Sequence, residues 1–492
     1  MEDDLIKKIL ENLGARGIPK KFDVPEVDSQ ELAAGRYGTE EMCGVFNSTS
    51  TVQGILDQVA LSTKVVSKNY PEITPEENAQ RIAEKATIGF VSPEAAHQEE
   101  ATTHHDVIAV TNILSKQLLP EDKPHVGRFK TSADSTETAK GSSLKTSLDV
   151  YIPRLEDLRD ILIEKAVEGR DIITMAQSHE LDAVAESFGK VFVHFAERIQ
   201  FRVDTLAYHY KNSLFGKWSD ATGSYHNTVA TGVDGRKLES DLMERLGLRS
   251  MIAASQTPPR EALCDIGSAV AISMATLASI AREIKKQKSD DVDTLWEVVD
   301  EGTKGSSAMP HKDIKGGNPS MEERIRSLSH MASGYTATLY ATADMAYARD
   351  LEGSASDRIV LGDLFKIADY AAKLTANILL RLTPHEERIR ERIERTQGVT
   401  TASRVVAYLT DPRLTENPLS RREAHDLIGK LAKKAYTDKV PFYNILLASE
   451  DALSRLGQET IKEISNPLAY IGESKQQVLD VAKAYYGKRT LG

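Results

Sequence analysis

The sequence predicts an all-α protein with three helical domains and a central bundle of long helices that assembles with other subunits. Helical periodicity dominates: over 361–382 apolar residues recur every three or four positions, and Pro384 ends the pattern. Similar patterns cover 144–167, 191–206 and 321–345, whereas sustained alternation typical of strands is scarce. The chain has 492 residues, too many for one ordinary core, so several domains are expected.

Changes in helix length along the chain place the domain boundaries. Residues 1–132 contain short helical patterns joined by loops, with an extension before Gly35 to which the sequence assigns no function. Residues 133–384 contain the long helices and form the predicted bundle. Residues 385–492 contain shorter helices interrupted by four prolines: Pro412, Pro418, Pro441 and Pro467.

Composition argues against several classes of protein. With 40% hydrophobic and 27% charged residues, the chain resembles a folded globular protein rather than a disordered one. A formal net charge of -11 argues against nucleic-acid binding, although a few arginines can still form a pocket for a small anion. The most apolar segment, 266–281, is shorter than a bilayer requires, so we predict a buried bundle helix and no membrane span.

Location and assembly are predicted from the same features. The acidic N-terminus lacks the long apolar stretch of a secretory signal. Cys43 and Cys264 lie far apart and outside any CxxC or metal-ligand spacing, so we expect reduced thiols and a cytoplasmic protein. Segment 266–281 presents more small apolar surface than one helix partner covers, which predicts a homo-oligomer.

The most informative segment is the loop 302–319, with the sequence GTKGSSAMPHKDIKGGNP. Long ordered loops are uncommon in compact domains and often act as lids, although an ordinary surface loop is the alternative interpretation. Small residues leave its backbone N–H groups accessible, and Lys312 and Asn318 add side-chain donors. Such a cluster of donors suits a developing oxyanion.

Two further clusters of polar residues have competing interpretations. The run His104-His105-Asp106 suggests a metal site, but neighbouring helical residues point about 100° apart and no zinc spacing is present, so no metal is predicted. Arg349 and Arg358, with Ser354 between them, can converge on one phosphate if the segment bends. Ordinary surface ion pairs are the alternative for these arginines.

The string GSSAMPHK followed by NP resembles the signature loop of the fumarase/aspartase superfamily. Within that superfamily, Lys304 and the Ala-Met-Pro-His run are most similar to the adenylosuccinate lyase family. The resemblance extends from about Gly35 to Tyr470. It rests on further segments at 36–37, 103–107, 131–134, 216–227, 256–260 and 349–358.

This resemblance implies a C–N lyase of purine nucleotide biosynthesis. Such an enzyme eliminates fumarate from adenylosuccinate, giving AMP, and from the succinylated aminoimidazole carboxamide ribotide. The resemblance also implies a homotetramer with shared active sites, a small nucleotide substrate, and neither a metal nor an organic cofactor.

The resemblance assigns the catalytic roles. Ser306 is implied as the general base, a role that needs nearby cationic and N–H donors because a serine hydroxyl is a poor base in water. Lys312 and loop closure are expected to supply them. His179 is implied as the proton donor, with His105 and Asp182 as alternatives. The chain departs from the family here, because Ser178 and Glu180 replace threonine and glycine, and Asp182 replaces a histidine that many members carry.

The resemblance also implies a set of substrate contacts. The phosphate is expected to meet Arg349, Ser354, Arg358 and Arg36. The succinyl carboxylates are expected to meet Thr131, Ser132, Gln256, Lys312 and Asn318. Tyr37 joins Arg36 as a nucleotide contact, and His104, His105 and Asp106 belong to the substrate pocket.

The signature loop contains four extra residues. The family has one residue between the lysine and Asn-Pro, whereas residues 313–317 occupy that gap here. A turn at Gly316-Gly317 would return Asn318 to its usual place, and without it the carboxylate contact is lost.

Two alternative functions remain open at this point. One is another lyase of the superfamily, acting on argininosuccinate or a carboxymuconate. The other is a catalytically silent homologue that keeps the fold, an alternative that Asp182 and the loop insertion leave open. The intact Ser306, His179, Lys312 and Asn318 argue against a silent protein.

Overall fold

Helices account for most of the secondary structure in the computed structural model, which describes residues 2–20, 36–302, 305–347 and 349–491. The extension before Gly35 is therefore described only as far as residue 20, and Lys304 lies outside the described residues. The helices are α1 (Glu2–Arg16), α2 (Glu40–Val45), α3 (Ser48–Asn69), α4 (Glu76–Lys85), α5 (Pro93–Thr103), α6 (Asp106–Lys116), α7 (Ser132–Glu168), α8 (Lys190–Asn212), α9 (His226–Ala230), α10 (Gly235–Leu246), α11 (Glu261–Gln287), α12 (Ser320–Thr342), α13 (Ser354–Arg381), α14 (Glu386–Arg395), α15 (Ala402–Thr410), α16 (Arg421–Asp438), α17 (Phe442–Leu447), α18 (Glu450–Leu456), α19 (Gln458–Ile464) and α20 (Ser474–Tyr485).

Four short strands and four short 3-10 helices complete the regular structure of the described residues. The strands are β1 (Ile173–Ser178), β2 (Leu181–Ser187), β3 (Leu295–Glu297) and β4 (Leu382–Pro384). The strands pair as two antiparallel ribbons, β1 with β2 and β3 with β4. The all-α fold class predicted from the sequence is confirmed, and the ribbons are additions that it did not anticipate.

Five long helices, α7, α8, α11, α12 and α13, form the central bundle. They alternate in direction, so the bundle has two ends. At the cleft end α7, α11 and α13 begin and α8 and α12 finish. At the loop end lie the β1–β2 hairpin and the signature loop, whose described part is 305–319.

Helix α11 occupies the core of this bundle, as its composition predicts. Among the described residues it is the one helix long and apolar enough to cross a membrane, but 56% of its most apolar window is buried inside the protein. Ile266, Val270, Met274 and Leu277 are fully enclosed and contribute to the central hydrophobic cluster. Burial in a bundle accounts for an apolar helix of this kind.

Apolar side chains also remain exposed along the outer faces of α8, α11 and α12. Each is 49–65% exposed, and they are Phe201, Tyr208, Ile272, Met331 and Tyr340. Large apolar side chains grouped on neighbouring helices are typical of surfaces that contact another subunit.

Both ends of the described chain contribute to the bundle core. Ile9 of α1 and Val478 of α20 belong to the central cluster, although the predicted boundaries place them in the first and third domains. Separate clusters lie among α3 to α6 and among α15 to α19. The central core therefore depends on segments at both ends of the chain.

A buried acidic side chain on α7 anchors α1. The side chain of Glu164 is fully buried, accepts a hydrogen bond from Arg16 Nε at 2.6 Å, and accepts another from the Tyr486 hydroxyl at 2.9 Å. Burial raises the pKa of Glu164, and the Arg16 guanidinium opposes that rise. Arg16 therefore offsets the cost of burying the carboxylate.

We expect Arg16→Ala to lower the free energy of unfolding by about 2 kcal/mol at pH 7, because it leaves a buried carboxylate without its cation. A carboxyl with a raised pKa is costly when ionised and costs little once protonated, so the deficit should shrink as the pH falls towards 5. Denaturant unfolding at both pH values measures this. Lys7→Ala, which removes an exposed lysine from α1, is the control and should change little. A deficit that is independent of pH would contradict the explanation.

Candidate active site

A cavity of about 670 Å³ opens at the cleft end of the bundle. Eight of the predicted substrate-binding residues line it, namely His104, His105, Asp106, Ser132, Gln256, Arg349, Ser354 and Arg358. They come from segments that are up to about 250 positions apart in the sequence, so the fold gathers them. This volume lies within the usual range for small-molecule sites.

Three helices begin at the wall of this cavity. Asp106 is the first residue of α6, Ser132 the first of α7 and Ser354 the first of α13. Helix N-termini carry unpaired N–H groups and a partial positive charge, and three that converge favour a bound anion. The resemblance implies Ser132 and Ser354 as substrate contacts, but it does not predict that the three N-termini converge.

Local backbone geometry places the first residues of these helices. His104 ends α5 in a left-handed conformation with φ of 51°, which lets the chain reverse into α6. Thr131 precedes α7, and its N–H donates to Asp134 Oδ2 at 2.7 Å. Thr131 itself does not line the cavity, and it stands directly beside Ser132, which does.

The two predicted phosphate-binding arginines have different partners. Arg349 Nη1 donates to Gln256 Oε1 at 2.7 Å, and Gln256 in turn donates to the carbonyl oxygen of Ala221 at 2.9 Å. Arg358 donates to Asp106 Oδ2 at 2.7 Å while 59% of its side chain stays exposed. Burial opposes ionisation of Asp106, but Arg358 and a backbone N–H outweigh it and hold the pKa of Asp106 below its usual value.

A buried network of four charged residues lies beneath the cavity, and sequence reasoning missed it. Arg260 donates to Asp357 Oδ2 at 2.6 Å and to Glu137 Oε1 at 3.1 Å. Lys140 contacts the same two carboxylates at 3.2 and 3.3 Å. The network joins α7, the start of α11 and the first turn of α13, so it fixes the helix ends that surround the cavity.

The signature loop lies at the loop end, and Ser306 is half-buried within it. Its Oγ accepts hydrogen bonds from the backbone N–H of Met309 at 3.1 Å and of Ala308 at 3.4 Å. Lys312 Nζ donates to Asn318 Oδ1 at 3.0 Å. Two N–H groups directed at one hydroxyl oxygen stabilise negative charge there, which a serine base requires.

The four extra residues form a compact turn within this loop. Residues Pro310–Lys315 make a 3-10 helix, and Gly316 and Gly317 follow with φ of 88° and 83°. Asn318 then donates its backbone N–H to the carbonyl oxygen of Gly305 at 3.0 Å. Gly316-Gly317 thus forms the turn that the sequence predicts, and Asn318 returns to Lys312.

His179 occupies the tip of the β1–β2 hairpin. His179 and Glu180 both have positive φ, 52° and 66°, the pattern of a two-residue hairpin turn that usually contains glycine or asparagine. Both side chains are exposed. A strained, exposed histidine at a tip is available to a ligand outside its own chain.

Asp182, the alternative proton donor, is engaged in ion pairs with α14. It contacts Arg392 at 2.6 Å and Arg395 at 3.4 Å, and Gln177 donates to it. Burial opposes ionisation, but the arginines hold the pKa of Asp182 below its usual value. A carboxylate so stabilised is a poor proton donor at neutral pH.

Arg36 and Tyr37 lie on the side of the bundle, apart from the cavity. The Tyr37 ring packs edge-on against Tyr370 at 5.9 Å, and Arg324 lies 5.6 Å from the Tyr37 ring. Tyr370 is about 18 Å along α13 from Arg358, taking 1.5 Å per helical residue. The fold therefore does not bring Arg36 to the arginines of the same chain.

Apart from Arg36 and Tyr37, the predicted site residues form two groups at opposite ends of one chain. Ser306, Lys312, Asn318 and His179 belong to the loop end, and the predicted phosphate-binding arginines belong to the cleft end. Helix α12 spans the interval with 23 residues, a length of about 34 Å. Within the described residues, no group of three or more His, Cys, Asp or Glu side chains is placed to hold a metal ion.

Comparison with known proteins shows which family this chain resembles. Residues 36–334 match the lyase family. The adenylosuccinate lyase of Methanothermobacter thermautotrophicus is 28% identical over 90% of this chain and 96% of its own length. That of Bacillus subtilis is 29% identical over 87% of this chain and 94% of its own length.

Solved structures agree on the fold. The 3-carboxy-cis,cis-muconate lactonizing enzyme from Pseudomonas putida superposes with a TM-score of 0.80 at 20% identity, covering 92% of this chain and 98% of that chain. A fumarate lyase from Mesorhizobium sp. BNC1 superposes with a TM-score of 0.78 at 17% identity, covering 92% and 99%. The chain therefore belongs to the lyase family, within the fumarase/aspartase superfamily, and is a lyase.

Proposed function

We propose that the protein is an adenylosuccinate lyase, which eliminates fumarate from adenylosuccinate to give AMP and acts likewise on the succinylated aminoimidazole carboxamide ribotide. The observation that carries this proposal is a cavity lined by two arginines and by the N-termini of three helices, in a chain with the signature loop of the lyases. The relatives from Methanothermobacter and Bacillus subtilis, which bear that name, match most of the chain.

The cleft end binds the nucleotide phosphate. Arg349, Arg358 and Ser354 supply side-chain donors, and the N-termini of α6, α7 and α13 supply backbone donors and positive potential. Arg358 also pairs with Asp106, so a phosphate that binds Arg358 competes with that ion pair. Gln256 and Ser132, at the same wall, meet a succinyl carboxylate.

The loop end supplies the chemistry. Ser306, as the alkoxide stabilised by the N–H groups of Ala308 and Met309, removes the proton on the carbon β to the departing nitrogen. The electron pair forms an aci-carboxylate, which Lys312 and Asn318 stabilise. As the C–N bond breaks, this pair forms the double bond of fumarate, and His179 protonates the nitrogen of AMP.

The active enzyme is a homotetramer with shared sites, and it works in the cytoplasm. Because about 34 Å of α12 separates Ser306 from Arg358 in one chain, a complete site needs the loop end of one subunit and the cleft end of another. The apolar side chains exposed on α8, α11 and α12 provide the contact surface. Arg36 and Tyr37 reach a nucleotide through the same assembly.

A spectrophotometric assay of purified protein with adenylosuccinate tests the proposed function. We expect fumarate and AMP in equal amounts, and no turnover of argininosuccinate or a carboxymuconate, neither of which carries a phosphate for Arg349 and Arg358. Turnover of one of those two substrates alone would replace the proposal with another lyase activity. Absence of turnover with all three would indicate a catalytically silent protein.

A further inference from the structure

The residues inserted into the signature loop bond back to both the loop and the bundle. Asp313 Oδ1 accepts the N–H of Gly305 at 2.6 Å. Lys315 Nζ contacts Asp293 at 3.0 Å and Asp290 at 3.2 Å. These contacts run in opposite directions, one to the residue before Ser306 and the other to the connection between α11 and β3.

The contact with Asp313 holds the backbone of Gly305 on one side. On the other side Gly305 accepts the N–H of Asn318, so both polar backbone atoms of Gly305 are engaged. Gly305 and Gly317 approach so closely that a Cβ on either would lie 2.3 Å from the other's Cα. The two limbs of the loop therefore cross in direct backbone contact, and Asp313 fixes that crossing.

The contact with Lys315 attaches this crossing to a rigid part of the protein. Asp293 is 9% exposed and also accepts a hydrogen bond from Trp296 Nε1 at 2.9 Å. Its carbonyl oxygen lies 3.0 Å from His385 Nδ1, and the ring centroids of Trp296 and His385 lie 4.1 Å apart with the ring planes tilted by 37°. Lys315 is thus joined to a packed cluster at the junction with the C-terminal region.

The contact of Lys315 with Asp293 is less exposed to water than a typical surface ion pair. Exposed pairs contribute little because water and mobile side chains compete with them. Here the Lys315 side chain is two-thirds buried and meets two carboxylates, one of them fixed by Trp296. Partial burial opposes the charge, but Asp293 and Asp290 outweigh it and raise the pKa of Lys315.

We propose that Asp313 and Lys315 are positioning residues that hold the signature loop in place for catalysis. Asp313 fixes Gly305 and hence the adjacent Ser306, while Lys315 fixes the turn that returns Asn318 to Lys312. The inserted residues thereby order the loop before substrate arrives. The reaction that this order serves rests on the proposed function. Order acquired in advance lowers the entropic cost of reaching the reactive geometry.

Kinetics of four variants test this role. We expect Asp313→Ala to lower kcat by about 10- to 100-fold, because small displacements of a reacting group are costly, and KM to stay within about 3-fold. Asp313→Asn keeps an oxygen acceptor for Gly305 and should retain most activity. Lys315→Ala should lose about 3- to 10-fold and Lys315→Arg much less. An activity loss as large in Asp313→Asn as in Asp313→Ala, or as large in Lys315→Arg as in Lys315→Ala, would overturn the proposal.

Hydrogen–deuterium exchange separates this proposal from the proposed function, since it needs no turnover. In the free protein the peptide covering 305–319 should exchange faster in Asp313→Ala and Lys315→Ala than in wild type, Asp313→Asn or Lys315→Arg. Lys285→Ala, which removes another lysine contact at the loop end, is the matched control and should leave that peptide unchanged. Unchanged exchange in Asp313→Ala would overturn the positioning role even if the enzyme cleaves adenylosuccinate. Faster exchange with no cleavage would remove the proposed function alone.

Discussion

Ser306→Ala is expected to lower kcat for adenylosuccinate by about 10³-fold, the typical contribution of a positioned general base. The hydroxyl oxygen accepts two backbone N–H bonds, which favour its deprotonated form. KM should stay within about 3-fold, because the proposed phosphate pocket lies at the cleft end of the bundle. Steady-state kinetics measures both quantities.

Ser307→Ala provides the matched control for this prediction. Ser307 is the neighbouring serine and lies exposed in the same loop, so its replacement changes the loop composition equally. We expect a much smaller loss of kcat. A comparable loss in the two variants would mean that loop packing, rather than proton abstraction by Ser306, accounts for the effect.

Arg358→Ala is expected to raise KM for adenylosuccinate by about 100-fold. A charge-assisted hydrogen bond contributes roughly 1.5–3 kcal/mol, and removing this arginine also leaves the Asp106 carboxylate unpaired beside the phosphate. The double variant Arg358→Ala/Asp106→Asn should therefore recover part of the loss, because it removes the repelling charge. Failure of the second substitution to help would contradict a direct effect of Asp106 on the phosphate.

A substrate without the phosphate distinguishes a loss of phosphate binding from a general effect of the substitution on folding. Succinyladenosine should bind weakly to wild type, and Arg358→Ala should leave its KM unchanged. An equal rise of KM for both substrates would show that Arg358 does not meet the phosphate.

The long helices and the loop were within reach of sequence reasoning. The periodicity over 361–382 lies in α13 except for Leu382, which begins β4, and Pro384 ends that strand. The unusual string around Ser306 identified the superfamily, which the match to the lyase family confirms. Such signals are local, because helix periodicity and loop motifs are written in consecutive residues.

The β1–β2 hairpin could not be predicted from the sequence. Its strands are short, β1 pairs irregularly with β2 between Met175 and Gln177, and its turn uses His179 and Glu180 where glycine or asparagine is usual. The sequence pattern therefore contains no hairpin signal, and the resemblance implies a role for His179 without indicating its place in the fold. The fold places it at an exposed position at the hairpin tip.

Polar contacts between residues far apart in the sequence could not be predicted from it either. Arg260, Glu137 and Asp357 lie on three helices and meet only once the bundle forms. The sequence identifies candidate site residues but contains no distances between them. It therefore did not reveal that Ser306 and Arg358 lie at opposite ends of the bundle within one chain. That separation follows from the direction and length of α12.

The central claim is that the loop end of one subunit completes the cleft end of another. Mixed oligomers purified after co-expression of Ser306→Ala and Arg358→Ala chains with different tags test it directly. If the groups come from different subunits, sites with both residues intact arise in roughly a quarter of cases in an equal mixture, so activity should return to about that fraction of wild type. Mixed oligomers as inactive as the two parents would contradict a shared site.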